Sequence, residues 1–140
     1  MTALSPATPT APDNEPGLFV TFEGGDGSGK STQTARLTSA LVSAGERVVR
    51  TREPGGTPLA ETLRSLVLEH GNGPIDPRTE ALLYATARSS HVDQVIRPAL
   101  HRGDVVVCDR FVDSSLAYQG VGRGLGVEAI AGINAFATGG

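Results

Sequence analysis

The 140-residue sequence contains one cysteine, Cys108, and one lysine, Lys30, so every other basic position is an arginine. A single cysteine excludes an internal disulfide framework and a cysteine-rich zinc cluster, which fits a reducing cytoplasm. Cys108 follows the apolar run 105–107. We therefore expect a buried strand residue at this position and not a nucleophile.

A basic excess and long apolar runs are also absent. The formal net charge is −3, without the clustered basic residues typical of a nucleic-acid-binding domain. No apolar stretch has the length needed to span a bilayer. Residues 1–16 lack the positive start and apolar core of a secretory signal, and their Ala, Thr, Ser and Pro content predicts a disordered tail. We therefore expect a cytoplasmic protein without nucleic-acid or membrane partners.

Residues 17–140 carry enough apolar material for one globular domain, since 39% of the chain is hydrophobic and 19% charged. Short apolar strands are predicted over residues 18–22, 48–49 and 104–108, and helices over 29–44, 58–71, 77–100 and 127–137. Alternation of strands and amphipathic helices predicts an α/β fold with a parallel, doubly wound sheet and helices on both faces. Glycines at 120, 122, 124 and 126 predict a flexible connection before the last helix.

A glycine-rich loop follows the first predicted strand and opens the first helix. Such a loop aims backbone N–H groups at phosphate oxygens, at the positive end of the helix. In this Walker A pattern Lys30 reaches the β- and γ-phosphates, and the Ser31 hydroxyl binds Mg²⁺. An ordinary glycine turn is the alternative, but the strand, loop and helix context favours ATP binding. The predicted ATP-binding residues are Gly24, Gly25, Asp26, Gly27, Ser28, Gly29, Lys30, Ser31 and Thr32.

Asp109 and Arg110 follow the third predicted strand, at the edge where open α/β sheets bind ligands. Asp109 can face Mg²⁺ or a water on it, as a Walker B acid does. Its alternative role is to cap the next helix. Arg110 can fork onto a phosphate and neutralise charge during transfer. A surface salt bridge is the alternative for Arg110.

Tyr84 and Arg88 lie four residues apart on a predicted helix and therefore share a face. An aromatic ring beside a guanidinium suits a planar base, although such a pair often only packs. We interpret His70, His91 and His101 as ordinary surface or capping residues and not as ligands.

Together these segments closely resemble the thymidylate kinase family. The resemblance rests on residues 22–33, 51–57, 84–88 and 109–120. It implies a P-loop fold of the nucleoside-monophosphate-kinase type. It also implies transfer of the γ-phosphoryl of ATP to thymidine monophosphate (dTMP), with Mg²⁺, in the biosynthesis of thymidine triphosphate.

The resemblance also assigns roles to residues of this chain. Asp26 matches the acid near the sugar 3′-hydroxyl, Tyr84 the base-stacking aromatic and Arg88 the arginine that reads the thymine edge. Arg64 and Arg110 match arginines around the acceptor phosphate. The implied catalytic residues are Lys30, Arg110 and Asp26. The implied substrate-binding residues are Asp26, Glu53, Pro54, Arg64, Tyr84, Arg88, Arg110, Ser114, Ser115 and Gln119.

Two features depart from the family pattern. Gly27 stands where some members carry an arginine, so by similarity the missing charge comes from a lid segment further along. Family members usually add this lid and further parallel strands, so we expect the domain to be incomplete at its C-terminal end, with three strands present. They are commonly dimers, and the largely apolar third helix suggests a homodimer here.

Two other functions remain open from the sequence. One is a kinase for another nucleoside monophosphate, and the other is a nucleotide-binding fragment without useful catalysis. A GTPase switch is disfavoured because no Asn-Lys-x-Asp segment is present.

Overall fold

Three parallel strands form the sheet of the computed structural model, which describes residues 15–140. The strands are β1 (Phe19–Phe22), β2 (Val48–Arg52) and β3 (Val105–Asp109), in the order β1-β3-β2. Of the tail predicted over residues 1–16, residues 1–14 lie outside the described residues. The helices are α1 (Lys30–Ser43), α2 (Pro58–Leu68), α3 (Pro77–His91), α4 (Arg97–His101), α5 (Val112–Ser115) and α6 (Val127–Thr138), with π-helical segments at Val92–Ile96 and Leu116–Gly122.

Strand β3 lies in the centre of the sheet because its sequence can be buried on both faces. Val106, Val107 and Cys108 have no exposed surface. A continuous apolar run of this kind is typical of a central parallel strand. The predicted parallel α/β sheet and the buried position of Cys108 are therefore confirmed.

Helices cover both faces of the sheet. On one face Val106 packs with Val92 and Ile96 of the first π-helical segment. Successive strand residues point to opposite faces, so Arg50, which pairs with Val107, faces the other way. Arg50 donates to the backbone oxygen of Ser31 at 3.2 Å, which places α1 on that second face. The predicted two-sided arrangement is confirmed.

The predicted third helix differs from a continuous α-helix over 77–100. Its hydrogen-bond ladder widens at Val92–Ile96, where Arg97 N–H bonds to the oxygen of Val92. Pro98 lies in the first turn of α4. Proline has no N–H, and its ring crowds the carbonyl four residues earlier, which explains a π-helical segment directly before it.

The glycine-rich segment after Tyr118 is also more ordered than predicted. Gly120 and Gly122 belong to the π-helical segment Leu116–Gly122, and Gly120 is buried. A Cβ at Gly120 would lie 3.3 Å from Cα of Val127, so glycine permits α6 to pack closely there. The flexible connection predicted through these two glycines is wrong, whereas the final helix after it is confirmed.

Side-chain capping marks the starts of α2 and α3, at Thr57 and Asp76. Thr57 accepts the Ala60 N–H at 3.1 Å, as predicted for an N-cap followed by proline. Helix α2 ends at Leu68, three residues before the predicted Gly71. Strand β2 extends to Arg52, past the predicted residue 49, because it pairs with β3 through Asp109.

The carboxyl ends of the three strands meet at one level. Phe22 and Arg52 both pair with Asp109. The residues that follow, Glu23, Glu53 and Arg110, are therefore brought together at this edge, where open α/β sheets place their ligand sites. Within the described residues, no helix combines the length and apolar character needed to cross a membrane.

Candidate active site

The predicted phosphate loop connects β1 directly to α1. Three of its glycines have positive φ angles, which are 150° at Gly24, 75° at Gly27 and 90° at Gly29. Lys30 is the first residue of α1, and its Nζ donates to the Gly25 oxygen at 2.9 Å, back across the loop. Loop N–H groups, the helix N-terminus and the sole lysine thus converge on one place, which suits phosphate.

Ser31 and Asp109 meet at the base of this loop, although 78 positions separate them in the sequence. The Ser31 hydroxyl donates to Asp109 Oδ2 at 3.2 Å. Both residues offer oxygen ligands, which are the donors that Mg²⁺ prefers. The pair proposed from the sequence as the magnesium site therefore fits this ion.

A cavity of about 330 Å³ opens beside the loop. Its lining includes all ten residues assigned to the acceptor from the sequence, together with three that were missed. The missed residues are Leu68, Phe111 and Tyr118. Tyr118 lies four residues after Ser114, so helical spacing was the signal that could have found it.

Arg88 lines the cavity, and most N–H groups of its guanidinium donate hydrogen bonds to other protein groups. Its Nε donates to Glu53 Oε2 at 2.6 Å, and its Nη2 donates to the Phe111 oxygen at 3.0 Å. Nη1 donates to Ser115 Oγ at 3.1 Å and to Asn134 Oδ1. A guanidinium has five N–H donors, so one N–H on Nη2 remains for a ligand.

Glu53 and His91 support Arg88 from behind. Glu53 Oε1 lies 2.9 Å from His91 Nδ1, and His91 Nε2 lies 2.7 Å from Thr51 Oγ1. His91 has no exposed surface, so its interpretation as a surface or capping residue is wrong. It lies three residues after Arg88, one helical turn away, which explains how both reach Glu53.

Arg110 connects the phosphate loop to the cavity. Its Nη2 lies 2.9 Å from Asp26 Oδ1, and its Nη1 donates to Ser114 Oγ at 3.2 Å. Its carbon Cζ lies 5.3 Å from the centre of the Tyr118 ring. Partial burial alone would lower the pKa of Arg110, but Tyr118 and Asp26 outweigh burial and raise it. The guanidinium therefore stays charged beside the loop.

The backbone of Arg110 is left-handed, with φ of 69°, which is uncommon for a residue with a side chain. Glu23 stabilises the turn that follows. It accepts the Phe111 N–H at 2.7 Å and the Ser114 hydroxyl at 2.5 Å. Glu23 was not assigned to the site from the sequence, because its partners lie about ninety positions away.

The other predicted residues lie around the cavity opening. Arg64 Nη1 donates to the Pro54 oxygen at 3.0 Å, which joins α2 to the loop after β2. Burial raises the pKa of the Tyr84 phenol, so it stays neutral and its ring offers an apolar face to a ligand.

The family model for thymidylate kinase matches residues 22–139, which include the loop, the cavity and both metal-ligand candidates. The chain belongs to the thymidylate kinase family. The resemblance described from the sequence is therefore confirmed.

Relatives in this family are closely similar over most of the chain. A thymidylate kinase of Leifsonia xyli is 60% identical over 114 residues, which are 81% of this chain and 54% of the relative. One from Lactobacillus delbrueckii is 55% identical over 124 residues, 88% of this chain and 58% of the relative. This chain thus spans less than two thirds of the length of these relatives.

A crystal structure of thymidylate kinase from Ehrlichia chaffeensis is similar in fold, with a TM-score of 0.81 and 40% identity. The match covers 88% of this chain and 69% of that structure. The P-loop fold of the nucleoside-monophosphate-kinase type is therefore confirmed.

The close contact between Gly56 and His91 gives a stability prediction. A Cβ at Gly56 would lie 2.5 Å from His91 Cδ2, and φ there is 91°. Gly45 has the same φ, but a Cβ there would meet nothing within 4 Å. We expect Gly56→Ala to cost about 1–3 kcal/mol more unfolding free energy than Gly45→Ala, because only the first overpacks His91. Urea denaturation of both variants measures the difference, and equal costs would contradict the buried position of His91.

Cys108 gives a second prediction, because it is the only thiol in the chain. Burial, and to a smaller extent the charge of Glu53, raises the pKa of this thiol far above its usual value. The thiolate is the reactive form, so we expect the native protein at pH 8 to react with a disulfide reagent at least about a hundredfold more slowly than the protein in guanidinium. Rapid native labelling would show that β3 is not buried.

Proposed function

We propose that this member of the thymidylate kinase family transfers the γ-phosphoryl of ATP to dTMP, giving ADP and thymidine diphosphate in the cytoplasm. The contact between Asp26 and Arg110 carries this proposal. Asp26 belongs to the phosphate loop and also lines the cavity. Arg110 lines the same cavity, and its Nη2 lies 2.9 Å from Asp26 Oδ1. The donor and acceptor sites therefore share a boundary, as direct transfer requires.

Lys30, Arg110 and Asp26 act by position and charge. Lys30 neutralises the phosphates of ATP, and Arg110 forks onto the acceptor phosphate and orients it towards the loop. Asp26 fixes the direction of Arg110. Ser31 and Asp109 would hold Mg²⁺, which when bound neutralises negative charge on the ATP phosphates. Neither a covalent intermediate nor a protein nucleophile is part of this mechanism.

The cavity suits a thymine base in three respects. The ring of Tyr84 offers a face on which a planar base stacks. The remaining N–H of Arg88 matches a carbonyl oxygen of the base. Ser114, Ser115 and Gln119 add polar groups along the same wall.

ADP release tests this proposal directly. We expect release with ATP and Mg²⁺ to depend on dTMP, and to be much slower with cytidine or adenosine monophosphate. Equal rates with these acceptors would favour a broader nucleoside-monophosphate kinase. Release that does not respond to any acceptor would contradict the proposal.

A second candidate is nucleotide binding without useful turnover. The observation behind this candidate is that the chain spans 54–61% of the length of three relatives. Calorimetric titration together with the ADP-release measurement separates the two candidates, because the second predicts binding of ATP and dTMP without dTMP-dependent ADP release.

We also propose a homodimer. Leu59 on α2, Leu82 on α3 and Phe136 on α6 are 51%, 55% and 92% exposed, so three helices offer large apolar side chains to a partner subunit. Light scattering after size exclusion tests this, and a monomer at all concentrations would contradict it.

A further inference from the structure

Glu80 connects the cavity wall to the protein surface. It lies in the first turn of α3, and its side chain is 12% exposed. Gln119 Nε2 donates to Glu80 Oε1 at 2.9 Å. Arg123 approaches from outside, with Nη2 at 2.6 Å from Oε2 and Nε at 3.3 Å from Oε1. The carboxylate is therefore fixed from two sides and fixes Gln119 in turn.

This contact determines which end of the Gln119 amide faces the cavity. An amide has a donor nitrogen and an acceptor oxygen, whereas an ionised carboxylate only accepts. Partial burial alone would raise the pKa of Glu80, but hydrogen bonds from Arg123 and Gln119 outweigh it and lower the pKa. Glu80 is thus ionised at neutral pH, and only the amide nitrogen can face it.

The amide oxygen of Gln119 therefore remains available to a ligand in the cavity. Gln119 is buried and lines the cavity. Among the described residues its Oε1 accepts no hydrogen bond, and it is not among the polar atoms sealed from solvent. The wall therefore presents a fixed acceptor at this position.

We propose that Glu80 is a positioning residue that makes the acceptor site select against cytosine, because it holds the Gln119 amide with its oxygen towards the base. This inference rests on the proposed function. Thymine and uracil carry an N–H at ring position 3, which can donate to this oxygen. Cytosine carries a lone pair there, so two acceptors would face each other. A buried polar group left unpaired in this way is costly.

Arg88 reinforces the same selection. Its remaining N–H is a donor, which suits the carbonyl at position 4 of thymine and uracil. Cytosine has an amino group at that position, so two donors would meet. Arg88 is held by Glu53 and three other groups, whereas the Gln119 nitrogen is held by Glu80 alone among the described residues. Glu80 is therefore the place at which the selection can be loosened.

The test is a substitution that keeps the shape of the Glu80 side chain but replaces its carboxylate, which only accepts hydrogen bonds. Glu80→Gln can donate as well as accept, so the Gln119 amide can turn its nitrogen towards the base. We expect the binding preference for dTMP over deoxycytidine monophosphate to fall about tenfold, the effect of one hydrogen bond. The preference for dTMP over deoxyuridine monophosphate should stay unchanged, because both bases carry the same N–H and carbonyl.

Calorimetric titration of the whole chain with the three monophosphates provides this readout. Glu80→Ala, which also releases the amide, should lower the same preference. Glu46→Gln is the matched control, because Glu46 is exposed on the turn after α1, and it should keep the wild-type preference. A merely structural role for Glu80 would weaken the binding of all three ligands in parallel.

Each result has a distinct meaning. Unchanged discrimination in both Glu80 variants, with thermal stability near wild type, overturns this inference and leaves the proposed function standing. Equal wild-type affinity for dTMP and deoxycytidine monophosphate also overturns it. A wild-type chain that binds no pyrimidine monophosphate overturns the proposed function and this inference together.

Discussion

Lys30→Ala is expected to lower dTMP-dependent ADP formation by at least about 10²–10³-fold, the effect of removing one positioned donor from a developing charge. The physical reason is that no other lysine exists in the chain, and among the described residues no arginine side chain hydrogen-bonds to the loop backbone between Gly24 and Gly29, as Lys30 does. Within residues 15–140 its Nζ hydrogen-bonds only to the Gly25 oxygen, so the fold should tolerate the loss. Steady-state kinetics with saturating dTMP measures the effect.

The control for this variant is Arg36→Ala. Arg36 is an exposed residue of the same helix, and its loss removes one positive charge at a distance from the loop. Wild-type turnover is expected there. If Lys30→Ala turned over normally, the loop would not be the site of phosphoryl transfer.

Arg88→Met is expected to lower the unfolding free energy by about 3 kcal/mol or more and to abolish dTMP binding. Arg88 and Glu53 are 3% and 5% exposed, so removing the cation leaves a buried carboxylate short of its partner. Breaking one side of a buried ion pair typically costs about 3–5 kcal/mol. Urea denaturation measures the stability, and calorimetry measures the binding.

Arg64→Met is the control variant that separates the effect on dTMP binding from the effect on stability. Arg64 also lines the cavity, but its guanidinium makes one described hydrogen bond, to the Pro54 oxygen. We expect weaker dTMP binding with a stability loss below about 1 kcal/mol, as for an ordinary surface contact. Equal destabilisation by both variants would contradict the central role of Arg88 in the buried network.

The elements that local sequence determines were the ones that could be predicted. The loop from Gly24 to Ser31 follows from glycine spacing between a strand and a helix. Thr57 followed by Pro58 marks the start of α2 by capping chemistry alone. The sequence also predicted that Ser31 and Asp109 lie near each other, and their side chains hydrogen-bond at 3.2 Å, whereas their role as magnesium ligands stays a prediction.

Contacts between distant residues could not be predicted from the same patterns. The buried position of His91 on α3 depends on Thr51, near the end of β2, and on Glu53, which directly follows that strand. The left-handed backbone of Arg110 depends on a turn stabilised by Glu23. The first π-helical segment directly precedes the turn that contains Pro98, and the apolar periodicity of an α-helix and a π-helix is hard to distinguish over a few residues.

The fate of the γ-phosphoryl group tests the central claim most directly, because ADP release alone does not identify the recipient. The chain would be incubated with γ-labelled ATP, Mg²⁺ and dTMP, and the products separated by chromatography. We expect the label in thymidine diphosphate, and its loss from that product in Lys30→Ala. Label found only in inorganic phosphate, or remaining in ATP, would contradict transfer from the loop to the cavity.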